Sequence, residues 1–292
     1  MEHSRVEGCS SDRYGGALSL KQAELIMDSV AVQHNIALND GGGLHAEESS
    51  IEMQHSTVSE NQAAAPADFE YTEDAPLVSG SRGGGLYADR SSISANNSSI
   101  VGNSAHHSGG GLYLCCEATA SLKHCAISDN QALAAGGGIY AHDRVRLQLQ
   151  NQSSVARNQL GDEFCEDPCG DGAGIYAYSR CIIEITDSIL HENVSPDEGG
   201  AFHLNQNSEM HLFRSRVLDN FALYYGGGGC ALSSAIYMQE SAVSGNECDA
   251  FGSRGGGIYA SSDAVVRLMN SDILNNVVRG GMGGGLQLSH SE

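Results

Sequence analysis

The sequence predicts an all-β protein, a single-stranded parallel β-helix of about nine coils, each ~26–29 residues long. Three observations lead there. A glycine-rich signature recurs along the chain, an asparagine-ending signature follows each copy 20 to 22 residues later, and short alternating apolar segments fill the interval. Three strands per repeat, stacked in register, make such a solenoid. Helix pairs are excluded because glycine triplets break helices.

The glycine signature reads GGALSL from Gly15, GGGLHA from Gly41, GGGLYA from Gly83, GGGLYL from Gly109 and GGGIYA from Gly136. It continues at Gly172, Gly199, Gly226, Gly255 and Gly283. The position after the glycines is apolar (Leu18, Leu44, Leu86, Leu112, Ile139, Ile175, Phe202, Ile258, Leu286), with Gly229 as the exception. The residue two further on is Leu or Ala throughout. Strand alternation points both columns inward and the residue between them outward. That outward column is His45, Tyr87, Tyr113, Tyr140, Tyr176, His203 and, further on, Tyr259. A third alternation, such as Ile51/Met53 or Ile236/Met238, marks the middle of each coil.

The second signature, Ser-x-apolar-x-x-Asn, reads STVSEN, SSIVGN, CAISDN, SSVARN and SRVLDN. Its last position forms a column: Asn35, Asn61, Asn103, Asn130, Asn158, Asn193, Asn220, Asn246 and Asn276. Asparagine bonds nearby backbone and tolerates a left-handed turn, and stacked copies bond one another, so the column reads as a structural ladder with no catalytic part.

Composition removes several classes. With 37 Gly but only 4 Pro in 292 residues the chain is not collagen. No stretch approaches the ~20 apolar residues of a membrane-spanning helix. The 36 acidic residues outnumber 15 basic ones, of which only Lys21 and Lys123 are lysine. A net charge of −21 argues against nucleic acid or an anionic membrane as a direct partner.

The glycine and apolar-x-x-Asn alternation resembles the repeats of chlamydial polymorphic outer-membrane proteins and related pectate-lyase-like, right-handed β-helix adhesins. Those repeats usually carry Phe where this chain has Val58, Ile100, Ile127, Val155, Leu190, Val217, Val243 and Ile273. The resemblance covers nearly the whole chain and implies a right-handed coil and a surface or secreted setting, extracellular or at the cell surface.

Residues 1–14 read as the tail of a preceding coil, 15–282 as the β-helix domain and 283–292 as the start of a further coil. Both ends fall mid-repeat, which predicts a longer chain with further domains as partners. Between the asparagine and the next glycine the connection is usually five residues. It lengthens after Asn61 (62–82), Asn158 (159–171) and Asn246 (247–254), and insertions are expected only on that edge. The two longer loops are acidic, with Asp68, Glu70, Glu73 and Asp74 in one and Asp162, Glu163, Glu166, Asp167 and Asp171 in the other. Three coils separate them, roughly 14 Å along the axis.

Tyr87, Tyr113, Tyr140 and Tyr176 run beside these loops. With Asp68, Glu70, Asp162 and Glu163 they form the expected ligand site, a slot floored by Tyr113 and Tyr140 for a linear neutral or cationic glycan. The alternative reading of the tyrosines is a stack that stabilises its sheet. No cofactor is expected. The loops have enough oxygens for Ca²⁺, although no EF-hand or nonapeptide array accompanies them. No catalytic residue is assigned, since paired Asp-Asp and other polysaccharide-cleaving motifs are missing. Arg144 and Arg146 flank Asp143, and His106 and His107 share a short turn, as isolated features.

Of the nine cysteines, Cys9 and Cys125 fall in inward columns, Cys165 and Cys169 in an acidic loop, and Cys248 in another loop on that edge. Glycosylation sequons stand at Asn96, Asn97, Asn151 and Asn193, the last inside the ladder. The reading is a non-catalytic β-helix for adhesion, with a glycan or cell-surface protein as partner and no membrane insertion in this segment. A polysaccharide-active lyase, hydrolase or epimerase is the alternative, and a plain structural spacer the second.

Overall fold

A computed structural model describes residues 1–64, 81–161 and 171–291. The chain winds into a parallel β-solenoid whose coils stack in register. Each coil holds four strands, one more than the alternation predicts. In the first complete coil these are Leu18–Lys21, Glu24–Asp28, Ala31–Gln33 and Ile36–Ala37. They give four parallel sheets of ten, nine, ten and ten strands among the described residues. The fourth strand is two residues long, Ile36–Ala37 pairing with Gln62–Ala63, so period-2 alternation has no room to show in it.

The core is the inside of the coil. Leu44, Leu86, Leu112 and Ile139 lie one above another at 0% exposure, and Met53 and Val58 are equally buried in the columns of the next two sheets. The exception at Gly229 has a packing reason. A Cβ there would sit 2.1 Å from the Phe202 ring, so the large side chain of one coil occupies the space that the next leaves open.

All nine predicted asparagines form the ladder. Asn130 is typical: its Nδ2 donates to the Ile100 carbonyl and to Asn158 Oδ1, each at 3.0 Å. Its Oδ1 accepts from the N–H and the Nδ2 of Asn103, also at 3.0 Å. The left-handed residue of this corner is the one before the asparagine. His34 (φ 55), Glu60 (φ 53), Asp129 (φ 58) and Arg157 (φ 52) carry it, and no ladder asparagine does.

The serine of the second signature builds a further ladder at the preceding corner. The N–H of Ser56 donates to Ser98 Oγ and that of Ser215 to Ser241 Oγ, both at 3.1 Å. A comparable serine column closes the corner between the first and second sheets, where Ser49 N–H reaches Ser91 Oγ at 2.9 Å. Cys125 and Cys181 take serine's place in these columns, each donating its thiol to a carbonyl at 3.2 Å. Burial pushes the Cys181 thiol up to about 11.

The glycine corner is constrained twice over. Gly109 has φ +68, and a Cβ on Gly110 would lie 2.3 Å from the Gln131 carbonyl oxygen and 2.4 Å from that of Gly137. Insertions are not confined to this edge. Single residues are also added at other corners, marked by paired left-handed residues such as Cys116–Glu117, Asp143–Arg144 and Asn151–Gln152. Cys9 is exposed rather than buried, because only one neighbouring coil covers it. Cys248 is buried within the fourth sheet, in strand Glu247–Cys248, not in a loop.

Asn130→Ala removes four hydrogen bonds and leaves the Asn103 N–H unpaired. It is expected to cost about 3 kcal/mol in urea unfolding. Asn97→Gly, at an exposed left-handed corner (φ 47), is expected to be near neutral. Equal midpoints for the two variants would refute the ladder's role.

Gly110→Ala is expected to abolish soluble expression or lower stability by several kcal/mol, because the methyl group meets backbone on two sides. Gly102→Ala would bring its Cβ only to an ordinary 3.6 Å contact with Glu60 Cγ and is expected to cost only ~1 kcal/mol of left-handed strain. Comparing their thermal midpoints checks the distinction.

Candidate functional site

The outward column of the first sheet carries the predicted tyrosines. His45, Tyr87, Tyr113, Tyr140 and Tyr176 stack at centroid spacings of 5.0, 5.1, 4.8 and 5.2 Å. The spacing follows from the strand separation, since register places each ring over its copy. Tyr87, Tyr113 and Cys115 form a buried cluster outside the coil, separate from the main core, with Tyr140 packed against it.

This arrangement corrects the expected glycan floor. Both faces of Tyr113 are occupied by Tyr87 and Tyr140, and the residue is only 6% exposed. A sugar ring has no face there to stack on. The acidic lips assigned to Asp68, Glu70, Asp162 and Glu163 lie outside the described residues, as do Cys165 and Cys169.

Residues just before the glycine corner fold over the column. The Arg82 guanidinium lies 5.2 Å from the Tyr87 centroid and 4.9 Å from that of Tyr113. It is held by a bidentate pair to buried Asp40, Nε–Oδ1 at 3.0 Å and Nη2–Oδ2 at 2.8 Å. Tyr14 covers His45 and Tyr225 covers Tyr259 in the same way, at 4.7 and 4.9 Å. Burial raises the phenol pKa along the stack, to about 12 for Tyr113 and further for Tyr87, Tyr140 and Tyr176.

A different concavity opens at the corner between the first and second sheets. This cleft of ≈ 390 Å³ is lined by Glu117, Thr119, Arg144, Arg146, Arg180 and Ile182. Register builds it: Thr119, Arg146 and Ile182 are partners across adjacent strands, and Glu117, Arg144 and Arg180 occupy the corner just before them. Arg144 is paired with Glu117 and Asp143, each at 3.1 Å. Arg146 and Arg180 are exposed and have no carboxylate within ion-pair distance among the described residues.

Arg144 and Arg146 were visible in the sequence beside Asp143, but Arg180 joins them only through coil register. Tyr178 and His142, half-buried ends of neighbouring strands, bring two rings 5.4 Å apart to the same corner. A second concavity, ≈ 260 Å³, surrounds Asp129, Arg157 and Glu192. Its arginine is already locked to Asp129 by two 2.8 Å bonds, so it offers no free charge.

A family model described as "Right handed beta helix region" matches residues 77–240, more than half of the chain. The chain belongs to the right-handed β-helix family. Searches of curated proteins and of solved structures returned no match. The family assignment accounts for the coil and its handedness. Within this β-helix, the stacked aromatic column and the arginine cleft are read from side-chain geometry alone.

The stack makes two checkable statements. Tyr113→Ala opens a gap between Tyr87 and Tyr140 and is expected to cost about 3 kcal/mol by calorimetry. A tyrosine at about 12 in the folded protein, against ~10 unfolded, holds its proton more tightly when folded. Its contribution is therefore complete below pH 10 and lost as pH rises from 10 to 12. Tyrosinate absorbance should show the exposed phenols titrating first and the stacked ones delayed, with unfolding midpoints falling over that window. Uniform titration near pH 10 in the folded protein would refute the buried stack.

Proposed function

We propose that this β-helix is a non-catalytic binding module, displayed outside the cell or at its surface, that engages an acidic glycan through the arginine cleft. The observation that supports the reading is the pair of guanidinium groups, Arg146 and Arg180, that have no ion pair among the described residues and share one cleft of a protein with net charge −21. Arg5, Arg82, Arg90, Arg144, Arg157, Arg214 and Arg279 have carboxylate partners, Arg254 and Arg267 lie over tyrosine rings, and Arg13 and Arg216 stand singly outside this cleft. A planar guanidinium matches a carboxylate or sulfate in a two-bond fork. Thr119 adds a hydroxyl and Ile182 an apolar wall.

The same lining argues against turnover at this place. Glu117 is its single carboxylate among the described residues and is engaged by Arg144 at 3.1 Å. Glycoside hydrolysis calls for two carboxyl groups across the scissile bond, and an arginine does not exchange its proton near neutral pH. The expected preference also changes sign. The acidic-loop slot predicts neutral or cationic glycans, whereas the cleft favours a sugar that bears a carboxylate or sulfate.

The test compares binding of oligouronides and of matching neutral oligosaccharides by calorimetry. The wild type is expected to prefer the acidic set. Arg146→Ala with Arg180→Ala is expected to weaken that binding by about 100-fold, as for loss of two charge-assisted bonds of ~1.5 kcal/mol each. Both arginines are exposed, so the melting temperature should not move. Equal affinity for the neutral set, or unchanged binding by the double variant, would reject the cleft. Release of new reducing or unsaturated ends would replace the binding reading with an enzymatic one.

A further inference from the structure

The aromatic column breaks where two consecutive rungs are His203 and Cys230 instead of tyrosine. The two strands pair in register, so the side chains are one strand spacing apart on the same outward face. The residues folding over them from before the glycine corner are Asp171 and Glu198. The Tyr176 ring meets His203 edge-on, at 5.3 Å and 64°, and the parallel stack ends there.

This break gathers three metal-ligating side chains, Glu198, His203 and Cys230, with Asp171 beside His203. His203 Nδ1 is 3.3 Å from Asp171 Oδ2 and 3.9 Å from Glu198 Oε2. Cys230 Sγ is 3.1 Å from the same Glu198 oxygen. The donor atoms of Glu198, His203 and Cys230 all lie within 4.8 Å of one another. A tetrahedral zinc site with bonds of 2.0–2.3 Å separates its donors by roughly 3.3–3.8 Å, so the cluster closes on one ion with small side-chain shifts.

A second, independent observation points to a ligand. His203 is 2% exposed and neither of its ring nitrogens has an aligned hydrogen-bond partner among the described residues. Its approach to Asp171 is an ion-pair distance without hydrogen-bond geometry. A buried imidazole left so is costly, and coordination would satisfy one of its nitrogens. Cys230 is fully buried, its thiol donating to Glu198.

We propose that Glu198, His203 and Cys230 form a structural site for one divalent transition metal, with Zn²⁺ the best fit and the Asp171 carboxylate, now beside His203, turning inward as the fourth ligand. The mixed sulfur, nitrogen and oxygen donors select a borderline ion over Ca²⁺ or Mg²⁺, which take oxygen alone. Binding forms a metal–sulfur bond, and the thiol proton leaves to solvent, which frees the Glu198 oxygen to coordinate. With Asp171 drawn in, four protein ligands leave no open position, so the site's role is to pin coils together where stacking stops. A second group, Asp89 with Cys115 and Cys116, supplies three donors and lacks an imidazole.

The probe is Co²⁺ added to the metal-free full chain carrying Cys115→Ser and Cys116→Ser, which removes the second group's thiols. One equivalent is expected to bind and give tetrahedral d–d bands and a sulfur-to-cobalt charge-transfer band. Adding Cys230→Ser should abolish the charge-transfer band, and His203→Gln should weaken binding at least tenfold. X-ray absorption of the Zn²⁺-loaded wild type provides a check that needs no variant. It should show one sulfur at about 2.3 Å with nitrogen and oxygen near 2.0–2.1 Å. No cobalt uptake, a charge-transfer band that survives Cys230→Ser, or a shell of nitrogen and oxygen only would overturn the site.

Discussion

The structure depends on one requirement, that buried backbone amides at the coil corners find partners along the axis. Between strands the chain turns, and the N–H of the residue at the turn points at the coil above instead of across a sheet. An unpaired amide there would cost a sizeable part of a hydrogen bond for every coil. Asparagine meets the need because its short amide accepts from the coil behind and donates to two acceptors. Aspartate lacks the donor. Serine fills the neighbouring corners, where one acceptor suffices, and passes its own hydroxyl proton to a carbonyl, as Ser56 does to Gln54 at 2.7 Å. These ladders fix register, and register then decides what every outward side chain touches.

In such a fold, chemistry is made by columns. Residues about a coil apart in sequence become nearest neighbours, and opposite charges are placed accordingly. Arg214 meets Asp187 across 27 residues and Lys21 meets Glu47 across 26. Like rings placed in one column stack and hide their faces. A column of tyrosine is therefore a cohesive strip, and the accessible chemistry lies where a column changes character. The arginine cleft arises where basic residues of two adjacent columns coincide over three coils. The His203–Cys230 pair arises where the aromatic column is interrupted under Asp171 and Glu198.

Most of the coil was legible in the sequence because its determinants repeat. The inward Leu/Ile and Ala columns, the asparagine ladder and the glycine corner each appear at fixed offsets, so errors in one repeat are corrected by the others. The fourth strand was not legible, since two residues such as Gln131–Ala132 carry no alternation, and Cys248 was placed in a loop for that reason. The left-handed residue before each asparagine was hidden because His, Glu, Asp, Arg and Gly all serve there. The covering of the tyrosines escaped because it depends on how Arg82 reaches over Tyr87 and Tyr113, which spacing does not report. Arg180 joins Arg144 and Arg146 only after the coils are aligned, and Asp171 meets His203 by the same step.

Stability and recognition are separable in this architecture. A solenoid's stability is a sum of terms within coils and between nearest neighbours. Breaking one ladder position weakens both interfaces of that coil, so inward columns tolerate little change. Outward corner residues need only accept a left-handed backbone, and that condition leaves their chemistry free. Arg144 and Arg180 are such residues, at φ 58 and φ 59. A binding surface can therefore be built at corners without touching the core. The interruption at His203 and Cys230 is different in kind, because it removes ring contacts from two interfaces at once. A cross-link between those coils, such as a bound ion, restores cohesion along the axis where the side chains no longer stack.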